Sequence, residues 1–362
     1  MKRTPLYGEH TDRGGKLVPF AGWEMPIQFS GILSEVKIVR HSAGIFDVSH
    51  MGRLFISGND AAKLLDLLTT SHIATMPSGK AKYTLLCNEN GGIIDDTIIY
   101  KYTNNKFLMI PNASNEETII EWINKYANDL NYDVEINRVT TETVMIALQG
   151  PKTTQILQPI CSIDLLNMKP FSIIEGDILG YNSIIATTGY TGEMGVEIIC
   201  NIDYGSAIWS ELINLGATPC GLGARDILRI EAGLLLHGSD MNDDITPLEA
   251  GLERFVAFDK STFCGKSIML DQQEVSISKS LIGFKLEDKG IPRHGYKIYQ
   301  NNDIIGEVTS GSYSPTLDTG IGLGYVPIEF AKEATELQID IRGRMAKAKV
   351  APLPFYSKKR SK

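Results

Sequence analysis

The chain has 362 residues, with 35 Lys and Arg against 43 Asp and Glu and a formal net charge of −8. Its composition, 43% hydrophobic and 22% charged, is globular and excludes a disordered chain, and the acidic balance gives no global attraction to nucleic-acid backbones. No apolar run reaches the about 20 residues of a membrane span. The opening MKRTPLYGEHTDRGGKL lacks an apolar stretch and carries Glu9 and Asp12, so it reads as neither secretory signal nor transit peptide, and a cytoplasmic location is expected.

In chain order, FAGWEMPIQF (20–29) and IFDVSHMGRL (45–54) come first. They set Trp23, Met25, Phe46, His50 and Met51 among small residues, a mixture that lines flat-ligand pockets but also ordinary cores. Leu64, Leu65, Leu67 and Leu68 share a face in a helix over 60–71, with Asp60 as its N-cap. A second helix over 115–128 opens with Asn115, Glu116 and Glu117 and buries Ile119, Ile120, Trp122, Ile123 and Tyr126. Further helices are expected over 204–215, ended by Gly216, over 222–235 and over 247–257. Between them RLFISG, TIIYKY, KFLMIP, TVMIAL, SIIATT and VEIIC read as short strands. The class is α+β rather than regular βαβ alternation. DQQEVSISKS, from 271 to 280, is polar and aperiodic and reads as a linker. Beyond it nearly everything is strand-like, with QNND and RGR as hairpin turns, so about 280–355 reads as a small β-barrel or sandwich. The tail SKKRSK reads as a solvated basic end.

The cysteines, Cys87, Cys161, Cys200, Cys220 and Cys264, form no CxxC and sit in apolar contexts, as in a reducing compartment. The histidines form neither HxxxH nor HxH, so no metal site is expected. GxSxG, P-loop and convincing dinucleotide-binding signatures are missing too.

Three stretches place polar groups in apolar sequence, which is common at functional sites. In GGIIDDTIIY, adjacent Asp95 and Asp96 must point to opposite faces of a strand, and the inward carboxylate needs a partner or a task. A turn-associated hydrogen bond is the plainer alternative. In TTGYTGEMGVEI (187–198), glycines allow close backbone approach while Tyr190, Glu193 and Glu197 supply polar groups; a solvent-facing hairpin is the alternative, suiting Glu193 better than Glu197. In GLGARDILRIEAGLLLHGSD (221–240), Arg229 sits among Leu228, Ile230 and Leu234 and must meet carboxylates or an anionic ligand. Taken alone, that segment favours a structural ion pair.

In order along residues 4–356, FAGWEMP, IFDVSHMG, GGIIDD, GYTGEMGVE, GLGARDILRIEAGL, GEVTSGSYSPTL and GIGLGYV resemble the aminomethyltransferase (T-protein) family of the glycine cleavage system. The resemblance implies a three-domain cloverleaf around a central folate channel: residues 1–270 as a folate-binding region of two interleaved α+β subdomains (roughly 1–50 with 140–270, and 51–139), a linker at 271–280, and a C-terminal β-barrel domain over 281–362. It implies transfer of the methylene carbon from the aminomethyl-dihydrolipoyl arm of a lipoylated H-protein to tetrahydrofolate, yielding 5,10-methylenetetrahydrofolate, ammonia and the reduced arm. Asp96, the second acid of GGIIDD, falls at the family's catalytic aspartate. Glu197 matches its folate-binding glutamate, Arg229 its folate-site arginine with Arg225 as structural neighbour, and Asn112 a folate-lining asparagine. Tyr83, Met51 and Tyr190 are implied ring-face surfaces and Tyr356 an aromatic from the C-terminal part. Tetrahydrofolate is the implied co-substrate, with no metal and no flavin. H-protein is the implied partner, with no nucleic acid and no membrane, and the chain is expected to be a monomer.

Relatives on the same fold are the rivals. The folate halves of sarcosine or dimethylglycine dehydrogenases come with a flavin domain, for which 362 residues leave no room. Demethylases of sulfonium substrates share parts of the motifs. An iron–sulfur maintenance branch, which binds folate without a lipoyl partner, carries a K-G-C-Y-x-G-Q-E stretch; here no Cys lies between Gly221 and Gly238. A folate-binding module without turnover is the plainest rival, and Asp96 speaks against it.

Overall fold

A computed structural model describes residues 1–358; the last four residues of the expected basic tail, 359–362, lie outside the described residues. The chain forms two compact units, Met1–Thr84 with Asp95–Arg225, and Leu85–Ile94 with Asp226–Lys362.

The first unit holds a six-stranded sheet and most of a five-stranded one. In the six-stranded sheet, Thr143–Gln149 lies between Gly44–Asp47 and Gly195–Asn201, followed outward by Tyr181–Ala186 and Ile173–Ile178. Thr143–Gln149 is buried almost throughout, as a central strand covered on both faces must be. Its core takes in Ile45, Val144, Ile146, Leu148, Ile198, Trp209 and Leu212. In the five-stranded sheet, Lys80–Cys87, Ile93–Thr103 and Lys106–Ile110 are consecutive neighbours, with Leu54–Ser57 and Glu135–Arg138 beyond. Helix Ala61–Leu68 buries Leu64, Leu65 and Leu68 as its spacing demands, about 1.5 to 3 kcal/mol for each side chain removed from water. Asp60 does occupy the N-cap position, but its φ and ψ of −103° and 3° keep its side chain off the helix N–H groups. Its Oδ2 accepts from the Asp133 N–H instead, at 3.1 Å.

The second unit contains a closed barrel of Lys279–Leu286, Thr319–Pro327, Asp303–Ser314, Lys297–Gln300, Glu336–Ile341 and Arg344–Ala351. Closure leaves no strand edge, and Phe284, Ile298, Val308, Ile339 and Ala346 fill the interior. Both expected hairpin turns form. Asn301 and Asn302 have φ of 52° and 85°, and Arg342 and Gly343 have φ of 56° and 84°, the two successive left-handed residues that match strand twist.

Several expectations fail. The helix expected over 222–235 ends at Glu231, and of the expected stripe on Glu116–Asp129 Ile119 and Ile123 are buried while Ile120, Trp122 and Tyr126 are half-buried. Residues 247–257 are turns with a short 3₁₀ segment, Glu253–Phe255, because left-handed Gly251 (φ 68°) stops the chain after one helical bond, Ala250 N to Thr246 O. Residues 271–275, expected as linker, finish the helix Lys266–Val275, whose single buried side chain, Met269, is too little to make a periodic signal. Helix Ile32–His41 was not legible either, since it buries Glu35 and Arg40 beside Val36 and Val39. Among the described residues no helix is long and apolar enough to cross a membrane, and no cluster of His, Cys, Asp and Glu suits a metal ion.

Candidate active site

Alternation along Ile93–Thr103 separates the two aspartates. Asp95 is fully buried and Asp96 half-buried, on the opposite face. Asp95 accepts from the Asn112 N–H at 3.0 Å, the Asn112 amide at 2.8 Å and the Asn115 amide at 2.7 Å. Neutral amide donors of this kind help a carboxylate stay inside. Asp96 accepts from the Tyr83 hydroxyl at 3.0 Å and from the Asn112 amide at 2.8 Å. Burial pushes the Tyr83 hydroxyl well above its ordinary pKa, and the neighbouring Asp96 pushes it further, so it remains a protonated donor. Tyr190 adds to the same rise.

Met51 lies half-buried in the turn after Gly44–Asp47, and the Gly52 N–H donates to Pro111 O at 3.0 Å. A Cβ on Gly52 would come within 2.6 Å of Pro111 Cγ, so the backbone beside Met51 lies directly on the residue preceding Asn112. His50, next to Met51, is buried, and this burial lowers its pKa to about 4 against the opposing pull of Asp47; Arg225 and Arg53 lower it too.

Glu197, on Gly195–Asn201, is 7% exposed and accepts from the Thr188 hydroxyl at 2.5 Å. Thr188 Oγ1 lies 2.7 Å from the Tyr100 hydroxyl. Since Thr188 has one hydroxyl hydrogen and gives it to Glu197, Tyr100 donates to Thr188. Tyr100 stands on the same strand as Asp96, so one strand supports both carboxylates. Burial, reinforced by Glu197, keeps the Tyr100 hydroxyl protonated.

Arg225 completes this group. Its guanidinium carbon lies 4.8 Å from the centre of the Tyr190 ring. Burial lowers its pKa, while Glu197 and Tyr190 hold it up. Its Nη1 is buried and has no hydrogen-bond partner among the described residues. The first unit therefore holds two groups, Tyr83 with Asp96 and Asn112, and Glu197 with Tyr190 and Arg225, linked by the electrostatic influence of Tyr190 on Tyr83. Thr188, Tyr100 and Asn115 were missed from the sequence; hydroxyls and amides within strands and turns carry no distinctive spacing.

Arg229 and Tyr356 belong to the second unit. Arg229 is 2% exposed and donates to Asp226 at 2.9 Å, Asp240 at 2.6 Å, Leu234 O at 3.2 Å and the Ser310 hydroxyl at 2.7 Å. This is the structural ion pair that the segment alone favours. Asp240 also accepts from the Thr309 hydroxyl at 2.6 Å and the Leu236 N–H at 3.0 Å. The Tyr356 N–H donates to Glu231 O at 2.7 Å, at the end of the helix Leu222–Glu231.

Two family profiles fit this succession of α+β sheets and a C-terminal six-stranded barrel. The profile described as the GCVT N-terminal domain matches residues 6–260, and that of the glycine cleavage T-protein C-terminal barrel domain matches residues 279–357. The chain belongs to the glycine cleavage T-protein family, the folate-dependent aminomethyltransferases of the glycine cleavage system. It is similar to an aminomethyltransferase of Bacillus subtilis, 42% identical over 99% of this chain and 100% of the relative. It is also similar to one of Thermosipho melanesiensis, 44% identical over 98% of this chain and 97% of the relative. The crystal structure of the glycine cleavage system aminomethyltransferase T from Bartonella henselae superposes with a TM-score of 0.92 at 32% identity, covering 98% of each chain.

Proposed function

We propose that the chain accepts the aminomethyl group from the dihydrolipoyl arm of an H-protein and passes its carbon to tetrahydrofolate. The C–S and C–N bonds of the S–CH₂–NH₂ carbon break, and bonds to folate N5 and N10 form. The sulfur leaves as a thiol and the nitrogen as ammonia. The migrating carbon gains iminium character, and Asp96, held by Tyr83 and Asn112, is the carboxylate that stabilises this charge and takes up folate nitrogen protons.

The observation that carries the reading is Arg225: a half-buried guanidinium whose Nη1 is enclosed and unpartnered among the described residues, influenced by the buried Glu197 carboxylate and over an aromatic face. Such a donor is costly unless a ligand acceptor meets it. A pterin offers adjacent N–H donors for Glu197, a carbonyl acceptor for Arg225 and a flat face for Tyr190. Asn112, Tyr83 and Met51 line the same proposed site. In this reading Arg225 takes the direct contact that the resemblance implies for Arg229. The three-domain division, a monomeric chain, a cytoplasmic setting and a reaction without metal or flavin are parts of the same proposal.

The test is to mix the protein with aminomethyl-loaded lipoyl H-protein and tetrahydrofolate and follow 5,10-methylenetetrahydrofolate and ammonia, omitting each component in turn. Stoichiometric product that needs all three is the expected result. Tight folate binding without product would overturn the transfer reaction.

A further inference from the structure

Arg40 lies on the helix Ile32–His41, about 150 residues from the loop it holds. Its Nη1 donates to Thr191 O at 2.8 Å and to Glu193 Oε1 at 2.9 Å, and the two side chains are 3% and 1% exposed. From within the sheet, Gln149 grips the same loop. It accepts from the Thr191 hydroxyl at 2.8 Å and donates to Thr188 O at 3.1 Å. The amide occupies space that side chains would otherwise fill: a Cβ on Gly189 would lie 2.1 Å from Gln149 Oε1, and one on Gly195 2.3 Å from its Nε2. Residues 188–193 are thus clamped twice. Between the clamps stand Tyr190, against Arg225, and Thr188, against Glu197.

We propose that Arg40 is a positioning residue of the folate site, holding the Thr188–Glu193 backbone so that Tyr190 stays on Arg225 and Thr188 on Glu197. The inference rests on the reading of Arg225, Tyr190 and Glu197 as folate-binding. The physical argument is that a loop containing Gly189 and Gly192 has high conformational entropy when released, and only fixed, well-aligned donors can offset it. Arg40 supplies two from one nitrogen, one to the backbone and one to the Glu193 carboxylate. A lysine has the charge, but its ammonium is a more strongly hydrated donor on a flexible stem and holds this geometry less firmly.

Arg40→Met, Arg40→Lys and the double variant Arg40→Met with Glu193→Gln test it. The single Met variant leaves Glu193 buried without its cation and so loses stability for a reason unrelated to folate. The double variant removes that charge and recovers thermal stability, yet still lacks the anchor on Thr191 O. The expected result is a KM for tetrahydrofolate raised about tenfold in both Met variants, with kcat within about threefold and Arg40→Lys between them and the parent. Amide hydrogen exchange across 188–193 should quicken in the same order. A KM that returns to the parent value when thermal stability is restored would overturn the inference and leave Arg40 a purely structural residue. Arg225→Ala is run beside them. If it loses folate while Arg40→Met keeps parental affinity, the positioning role alone fails; if Arg225→Ala also keeps parental affinity, the site reading fails with it.

Discussion

Arg225 and Arg229 stand one helical turn apart on Leu222–Glu231, yet their surroundings are opposite in kind. Arg229 has each of its nitrogens on an internal acceptor: Asp226, Asp240, a backbone carbonyl and Ser310. Arg225 has a carboxylate nearby and an aromatic face, but its Nη1 meets no protein acceptor among the described residues. Arg229 is buried and Arg225 half-buried with its Nη1 fully enclosed, on one amphipathic helix. Arg229 is complete without a ligand, and Arg225 is not. The same contrast separates Asp95, satisfied by three amide donors, from half-buried Asp96, which shares Asn112 and turns toward Tyr83. Burial of a charged group is therefore a poor guide to function, and how its hydrogen bonds are met is a better one.

The largest effect should come from splitting the aspartate pair. Asp96→Asn keeps the shape and removes the charge. Single-turnover transfer should fall about 10²- to 10⁴-fold, the usual range for a proton-transferring group, with folate affinity nearly unchanged. Asp95→Asn turns an amide toward donors that need acceptors, so about 1 to 3 kcal/mol of unfolding free energy should be lost while turnover per folded molecule falls much less. If Asp95→Asn is the inactive variant and Asp96→Asn turns over normally, the roles are reversed. The arginines should part in the same way. Arg229→Ala leaves Asp240 buried beside an absent cation, and urea unfolding should show a loss of about 3 to 5 kcal/mol. Arg225→Ala should weaken tetrahydrofolate binding about 10- to 100-fold by calorimetry and change unfolding far less.

The contrast also explains what could be read beforehand. The sheets, the barrel and the turns at QNND and RGR were legible because apolar alternation and paired left-handed residues are local signals. The Asp95–Asp96 division followed from strand alternation alone, and the structure adds which one faces inward. The choice between Arg225 and Arg229 was not legible. Both lie at helical spacing among leucines and isoleucines, and what separates them is contributed by Glu197, Asp240 and Ser310, remote in sequence. Helix Ile32–His41 was hidden for a related reason: buried Glu35 and Arg40 break its apolar stripe. Glu35 is held by the N–H groups of Phe29, Ser30 and Gly221, contacts that no periodicity can announce.

A smaller effect would sharpen the contrast further, because an incompletely paired cation should be felt by its neighbours. His50 is buried with its pKa lowered to about 4 from 6.5, chiefly by burial and partly by Arg225 and Arg53, against Asp47. A lowered folded-state value means that the unfolded chain takes up a proton first as pH falls. The contribution of neutral His50 is thus fully present above pH 6.5 and declines from there toward pH 4, at up to about 1.4 kcal/mol per pH unit. His50→Asn should flatten the loss of thermal stability across that window while leaving the pH 7.5 value comparatively little changed. Arg225→Met should act from the other direction. With that cation removed, the His50 titration, followed by its imidazole NMR signals, should move upward from about 4, though burial and Arg53 keep it below 6.5. Arg229→Met should leave it where it is, since Arg229 has no part in the His50 shift. Equal movement in both variants would mean that the two arginines share one electrostatic environment, and the distinction between a completed cation and one awaiting a ligand would lose its physical basis.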